Sequence, residues 1–204
     1  MHLHIPPVLN YRGFRLHWLG LMVSNAGSQM QLWSLLWHIR SLTDQPIALG
    51  AIGVARILPV LLFSLIGGAV ADVINRRKLM FITQSLMILV ALGLTWLTFM
   101  DQISLWHIYA LTALQAFAMA FDNPARQALV PNLVPARHLP NAFSLTSIGF
   151  QTGAIVGPAL SGLVIAYWGQ PYIYFIHAIS YLAVILALIL MLSLIHISEP
   201  TRPY

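Results

Sequence analysis

Long, unbroken apolar runs dominate this chain, and they leave it few ways to fold. A helix of about 20 apolar residues crosses a bilayer core. Six stretches qualify: Phe14 to Trp37, Ile47 to Val70, Leu79 to Met100, Leu105 to Phe121, Asn141 to Tyr167 and Tyr172 to Met191. In hydrocarbon every backbone polar group must be satisfied within a helix or a closed barrel, and continuous rather than alternating hydrophobicity selects the helix. Charged residues make up 7% of the chain, against roughly 25% in a soluble domain, so it cannot clothe itself in polar surface. The expected fold is an all-α membrane protein with six transmembrane helices in one domain, residues 1–191.

The connections between the runs are short except for the fourth, Asp122 to Pro140. Short connections predict that consecutive helices pack as antiparallel neighbours in one bundle. In the fourth connection Pro124, Pro131 and Pro135 predict a chain broken into short amphipathic pieces along the membrane face. Met1 to Tyr11 has none of the pattern of a cleaved leader, so the first span is expected to be retained.

Lys and Arg set the orientation. Arg12, Arg15, Arg76, Arg77, Lys78, Arg126 and Arg137 fall on one side of the spans and Arg40 alone on the other. That bias predicts cytoplasmic termini and basic loops. Trp33, Trp37, Trp106, Tyr167, Trp168 and Tyr172 fall near the expected outer ends, as an interfacial belt would. The net charge of +5 thus reads as topology, and nucleic acid is not an expected partner. With no cysteine in the chain, disulfides and thiol-bound metals are excluded.

The loop after the second span reads Gly68-Ala-Val-Ala-Asp72-Val-Ile-Asn75-Arg76-Arg77-Lys78. It resembles the signature of the major facilitator superfamily, Gly-x-x-x-Asp-basic-x-Gly-basic-basic, in the connection where that family carries it. Val73 stands where a basic residue is usual and Asn75 where a glycine is usual; Asn tolerates the positive φ of a tight turn. The resemblance implies that Asp72 and Arg76 join a charge network that closes two halves of a transporter, with Asp122 as its third member. The alternative is that Asp72 caps a helix turn and the cations only set topology.

The fifth span contains Gly153-Ala-Ile-Val-Gly157-Pro158-Ala-Leu-Ser161-Gly162, which resembles the exporter-associated pattern Gly-x-x-x-Gly-Pro-x-x-Gly-Gly. Small residues four apart let helices approach closely, and the proline bends the helix; a bent, closely packed helix at a domain interface would suit rocking between two access states. The segment from Asp122 to Ala142 resembles the bacterial exporter branch that includes the enterobactin exporter. These resemblances imply a secondary active, proton-coupled exporter of a small molecule such as a siderophore or drug.

Arg56 is the one full charge expected deep in a span, about 13 Å from its outer end. It is a candidate for substrate or counter-charge binding; the alternatives are snorkelling, or hydrogen bonds to carbonyls freed by Pro59. Asn25, Ser28 and Gln29 share one helical face, and Gln31, Gln115 and Gln151 are the other deep polar side chains. In superfamily members the first and fourth spans line the cavity, which implies lining roles for Asn25, Gln29 and Gln115; such amides also join helices. His107 and His177 are expected near the outer interface. No metal-ligand spacing or phosphate-binding loop is present, so no cofactor is expected and energy would come from an ion gradient.

The family is built from two six-helix halves, and this chain accounts for the N-terminal one. The expected partners are the lipid bilayer, a small-molecule substrate and a missing C-terminal six-helix half. The tail Leu192 to Tyr204 resembles a translated sequencing adaptor, and residues 192–204 are expected to be non-native. The rival readings are a non-transporting scaffold or half-transporter subunit, and last an integral-membrane enzyme, for which the acids Asp44, Asp72, Asp101 and Asp122 supply no clustered site.

Overall fold

The structure is a computed structural model that describes residues 7–198, with side chains through Met191. A 3-10 turn at Pro7–Asn10 precedes six long helices: α1 (Arg12–Leu42), α2 (Pro46–Val73), α3 (Arg76–Phe99), α4 (Leu105–Leu129), α5 (Leu139–Tyr167) and α6 (Gln170–Ser198). Each expected span is found. α6 continues through Ser198, so the suspected tail is helical over 192–198, and its remainder, 199–204, lies outside the described residues.

The helices are long enough to cross a bilayer core; α1, at 31 residues, extends about 46 Å. By length and composition four segments qualify as membrane spans: α2, α3, the segment 136–167 that contains α5, and α6 through Met191. Polar side chains along α1, such as His17, Gln31 and His38, and along α4, such as Gln115, Asp122 and Arg126, keep these two helices out of that group. The chain is a multi-pass membrane protein whose two least apolar helices face one another across the bundle.

Two expectations about the connections are corrected. Consecutive helices are mostly not packed along their lengths: α2 lies on α4, α4 on α3, α3 on α6, α6 on α1 and α1 on α5. A short loop ties only the ends of two long rods, and face complementarity then chooses the lateral partner. Pro124 likewise does not break the chain, because α4 runs through it to Leu129. Beyond that, 3-10 turns at Val130–Asn132 and Ala136–His138 lead into α5.

Pro124 removes the N–H that would bond the Ala120 carbonyl, and that carbonyl rests on α2. A Cβ at Gly67 would overlap the Ala120 oxygen and stand 3.2 Å from the Phe121 Cα. Gly67 is therefore the contact residue of the α2–α4 seam. Its neighbour Gly68, singled out by the loop signature, faces open space.

The expected role of Asn75 is also corrected. Its φ is −56°, and its side chain accepts hydrogen bonds from the backbone N–H groups of Arg77 and Lys78, at 3.0 and 3.4 Å, as the N-cap of α3. It replaces glycine here by capping, not by tolerating positive φ. Asp72 does not cap a turn in its place.

Apolar clusters close both ends of the bundle. Leu35, Ile39, Ile52, Leu94, Ile108 and Tyr174 pack at one end, and Met80, Ala125, Leu129, Val184 and Leu188 at the other, basic end. The outward faces of α2 and α5 stay bare, with Leu65 85% and Ile155 75% exposed. Such faces suit lipid or further helices.

Candidate functional site

Buried polar side chains recur along α1 every seven residues: His17, Ser24, Gln31 and His38. Seven residues are nearly two helical turns, so the four form one stripe. It faces the interior, where polar groups must find partners. His38 meets the Tyr174 hydroxyl on α6 at 3.0 Å.

At mid-height the stripe joins a chain of side chains from three helices. Gln31 Nε2 donates to Gln115 Oε1 on α4 at 2.6 Å, and Gln115 Nε2 donates to the Tyr181 hydroxyl on α6 at 2.7 Å. Gln31 Oε1 meets Nδ1 of His177, whose Nε2 lies 3.1 Å from the Ser28 hydroxyl. An amide oxygen only accepts, so Nδ1 carries the imidazole proton and Nε2 accepts from Ser28. His177, fully buried, also packs its ring 4.3 Å from that of Tyr181. The expected interfacial place for His177 is thus corrected: it sits at the centre of the bundle.

A cavity lies on each side of this polar layer, and Ser28 and Met119 line both. One, of about 330 Å³ between α1, α2 and α4, holds Arg56 with Gln31, Thr112 and Gln115 on its walls. Arg56 is half-buried and makes no ion pair or hydrogen bond within the described residues. The alternative of hydrogen bonds to carbonyls freed by Pro59 is therefore not used, and Arg56 borders the open volume.

The second cavity, of about 410 Å³, is more polar and includes His17, Asn25, Asp122, Asn123 and Arg126. Asp122 is 1% exposed. It is paired with Arg126 one turn on, and its Oδ1 accepts from Thr83 Oγ1 at 2.6 Å and Gln84 Nε2 at 2.9 Å on α3. Three partners make this buried carboxylate tolerable. The Nε2 of His17, 2% exposed, has no hydrogen-bond partner.

The residues proposed from sequence divide accordingly. Gln115 and Asn25 line the cavities. Gln29 lies in the α1–α5 seam, where a Cβ on Gly157 would overlap its own Cβ. Gln151 is exposed and lines none of these cavities. Gly153 and Gly157 belong to a stripe at four-residue spacing, Gly149, Gly153, Gly157 and Ser161, that packs on α1. A Cβ at Gly153 would be 3.1 Å from Ala26 N, and Ser161 Oγ donates to the Met30 carbonyl at 3.1 Å. Pro158 interrupts the α5 ladder, and Gly162 faces open space.

No ion pair among the described residues joins Asp72, Arg76 and Asp122. Asp72 is exposed, and the ion pairs among the described residues are Arg40–Asp44 and Asp122–Arg126. The sequence did not single out His17 and Ser24, and it misplaced His177. The seven-residue polar recurrence on α1 could have found the first two; nothing local marks His177, because its partners are 146 and 149 positions away.

Among the described residues no group of three or more His, Cys, Asp or Glu could hold a metal. A two-cavity path divided by a hydrogen-bonded layer suits passage or holding of a small polar molecule.

Comparison with known proteins agrees. The family model described as transmembrane secretion effector matches residues 6–196. The staphyloferrin A transporter of Staphylococcus aureus is 32% identical over 174 residues, covering 83% of this chain and 43% of the relative. The macrolide efflux protein A of Streptococcus pyogenes is 26% identical over 74% of this chain and 37% of its own length. The enterobactin exporter of Shigella boydii is 27% identical over 68% of this chain and 33% of its own. The chain thus spans less than half the length of these relatives, all of them transporters and none an enzyme. With its six helices forming part of the fold, the chain belongs to the major facilitator superfamily of membrane transporters, in the transmembrane secretion effector family.

Proposed function

We propose that this chain is the N-terminal six-helix half of a proton-coupled exporter, in a bacterial inner membrane with its N-terminus cytoplasmic, that moves a small amphipathic or anionic molecule such as a siderophore or drug. The observation that carries the reading is the polar layer Ser28–His177–Gln31–Gln115–Tyr181, with a cavity on each side of it. Arg56, with no ion-pair partner among the described residues, would meet an anionic substrate. His17, His177 and Asp122 are the titratable groups nearest the path and the candidates for proton coupling.

A C-terminal half would cover the bare faces of α2 and α5, where Gly50, Gly53, Gly68 and Gly162 meet open space. Exposed Asp72, with Arg76 and Arg77, would then serve as a latch to that half. Asp122, already satisfied by Arg126, would support the latch helix from inside. Residues 192–204 remain a proposed non-native tail, to be checked by reading the genomic codons after Met191.

The test is retention of siderophore or drug in an exporter-deficient strain carrying the full-length gene. Arg56→Ala and Gln115→Leu should raise intracellular substrate, and Asp72→Asn should slow turnover with the protein still in the membrane. Unchanged efflux in all three would overturn the residue assignments; a gene with no second six-helix segment would favour the scaffold reading.

A further inference from the structure

Arg76, Arg77 and Lys78 occupy the first turn of α3, and no acid accompanies them there. This is the positive pole of the helix dipole, the end where cations are least favourable. Neither ion pair found among the described residues involves them, and the Arg76 Nε is buried without a hydrogen-bond partner. Positive charge is therefore concentrated here without an ion pair among the described residues.

The three cations head a groove of about 590 Å³ between α3, the end of α4 and α6, with no acidic side chain in its lining. Phe81, Ile82 and Ile189 continue the groove along the bundle surface, where they are 46%, 64% and 46% exposed. Arg76 and Ile82 are six residues apart on one helix, about 9 Å. A cationic head thus runs directly into an apolar trough, at one end of membrane-spanning helices.

We propose that this groove binds one anionic phospholipid, its phosphate on Arg76, Arg77 and Lys78 and an acyl chain along Phe81, Ile82 and Ile189. Guanidinium groups suit phosphate oxygens because they donate two parallel hydrogen bonds, and the Arg76 Nε gains the acceptor it lacks. A zwitterionic headgroup would bring its own cation against three others. A soluble phosphate would leave the trough empty. Asp72 takes no part in the lining, and although Arg76 and Arg77 are shared with the proposed latch, Lys78 and the apolar trough belong to the lipid site alone, so substitutions there separate the two readings.

The experiment is native mass spectrometry of the full chain, purified in neutral detergent, delipidated, and offered phosphatidylglycerol and phosphatidylcholine with identical acyl chains. Phosphatidylglycerol should be retained preferentially, and Arg77→Gln and Lys78→Gln should each weaken it about fivefold. Ile82→Trp with Ile189→Trp should also weaken it by filling the trough, and Arg40→Gln, at the far end, should leave it unchanged. Equal retention of the two lipids by the unmodified chain would overturn the proposal, and that arm holds even if a variant fails to fold. So would a preference untouched by both cation substitutions, or full displacement of the lipid by millimolar inorganic phosphate.

Discussion

Asp122 makes contacts with two helices, and its energetics follow from burial. The carboxylate is held by Arg126, Thr83 and Gln84, so Asp122→Ala should cost about 2–4 kcal/mol by leaving a partly buried cation and two buried donors uncompensated. Asp122→Asn combined with Arg126→Gln should recover part of that loss; thermal unfolding in detergent reads both, and a double variant less stable than Asp122→Ala would contradict the assignment. Gly67 and Gly68 make a sharper pair. Gly67→Ala should destabilise by about 1–3 kcal/mol through overlap with the Ala120 carbonyl, whereas Gly68→Ala, facing open space, should be neutral or stabilising in this chain. Equal melting temperatures for the two would refute the α2–α4 contact. Asn75→Ala should lower stability by about 1 kcal/mol through loss of the α3 cap. The sequence signalled Gly68 and Asn75 through their place in a motif, but the physical reasons lay elsewhere. A glycine's neighbour across a helix seam and an asparagine's φ are set by tertiary contacts that spacing does not carry.

Helix α1 has the most varied surroundings, and its faces explain the site. One stripe, His17, Ser24, Gln31 and His38, turns inward; the face bearing Asn25, Ala26 and Gln29 takes the small residues of α5. Trp18 Nε1 adds a hydrogen bond to the Leu145 carbonyl on α5 at 2.9 Å. Gly157→Leu should therefore separate α1 from α5, a loss read as accelerated proteolysis or a lowered melting temperature; an unaffected variant would mean that the seam is not where it is described. All six spans were legible in the sequence, since length and hydropathy are local properties. Their lateral order was not. Asn25, Ser28 and Gln29 were grouped correctly by helical spacing, yet the neighbours split them: Ser28 reaches His177, Asn25 borders a cavity and Gln29 backs a glycine.

At the scale of the molecule, two polar helices sit inside a frame of apolar ones, and α2 and α5 present bare faces on the flanks. The family was legible because the loop signature and the fifth-span pattern are short and positional. The path itself was not, because it is assembled from residues far apart in the chain, such as Gln31 with Gln115 and His177. The central claim is that water and solutes reach Ser28 and Asn25 along a path between α1 and α4, in a protein completed by a second half. The chain's lack of cysteine gives a clean background in this half for its most direct test. Single substitutions Asn25→Cys, Ser28→Cys and Thr112→Cys, with Leu89→Cys on the exposed face of α3, are placed in the full-length gene, and intact membranes are treated with a water-soluble maleimide. Labelling is expected at positions 25, 28 and 112, slowed by added substrate, with none at 89; protection of all three path positions with labelling at 89 would rule the path out.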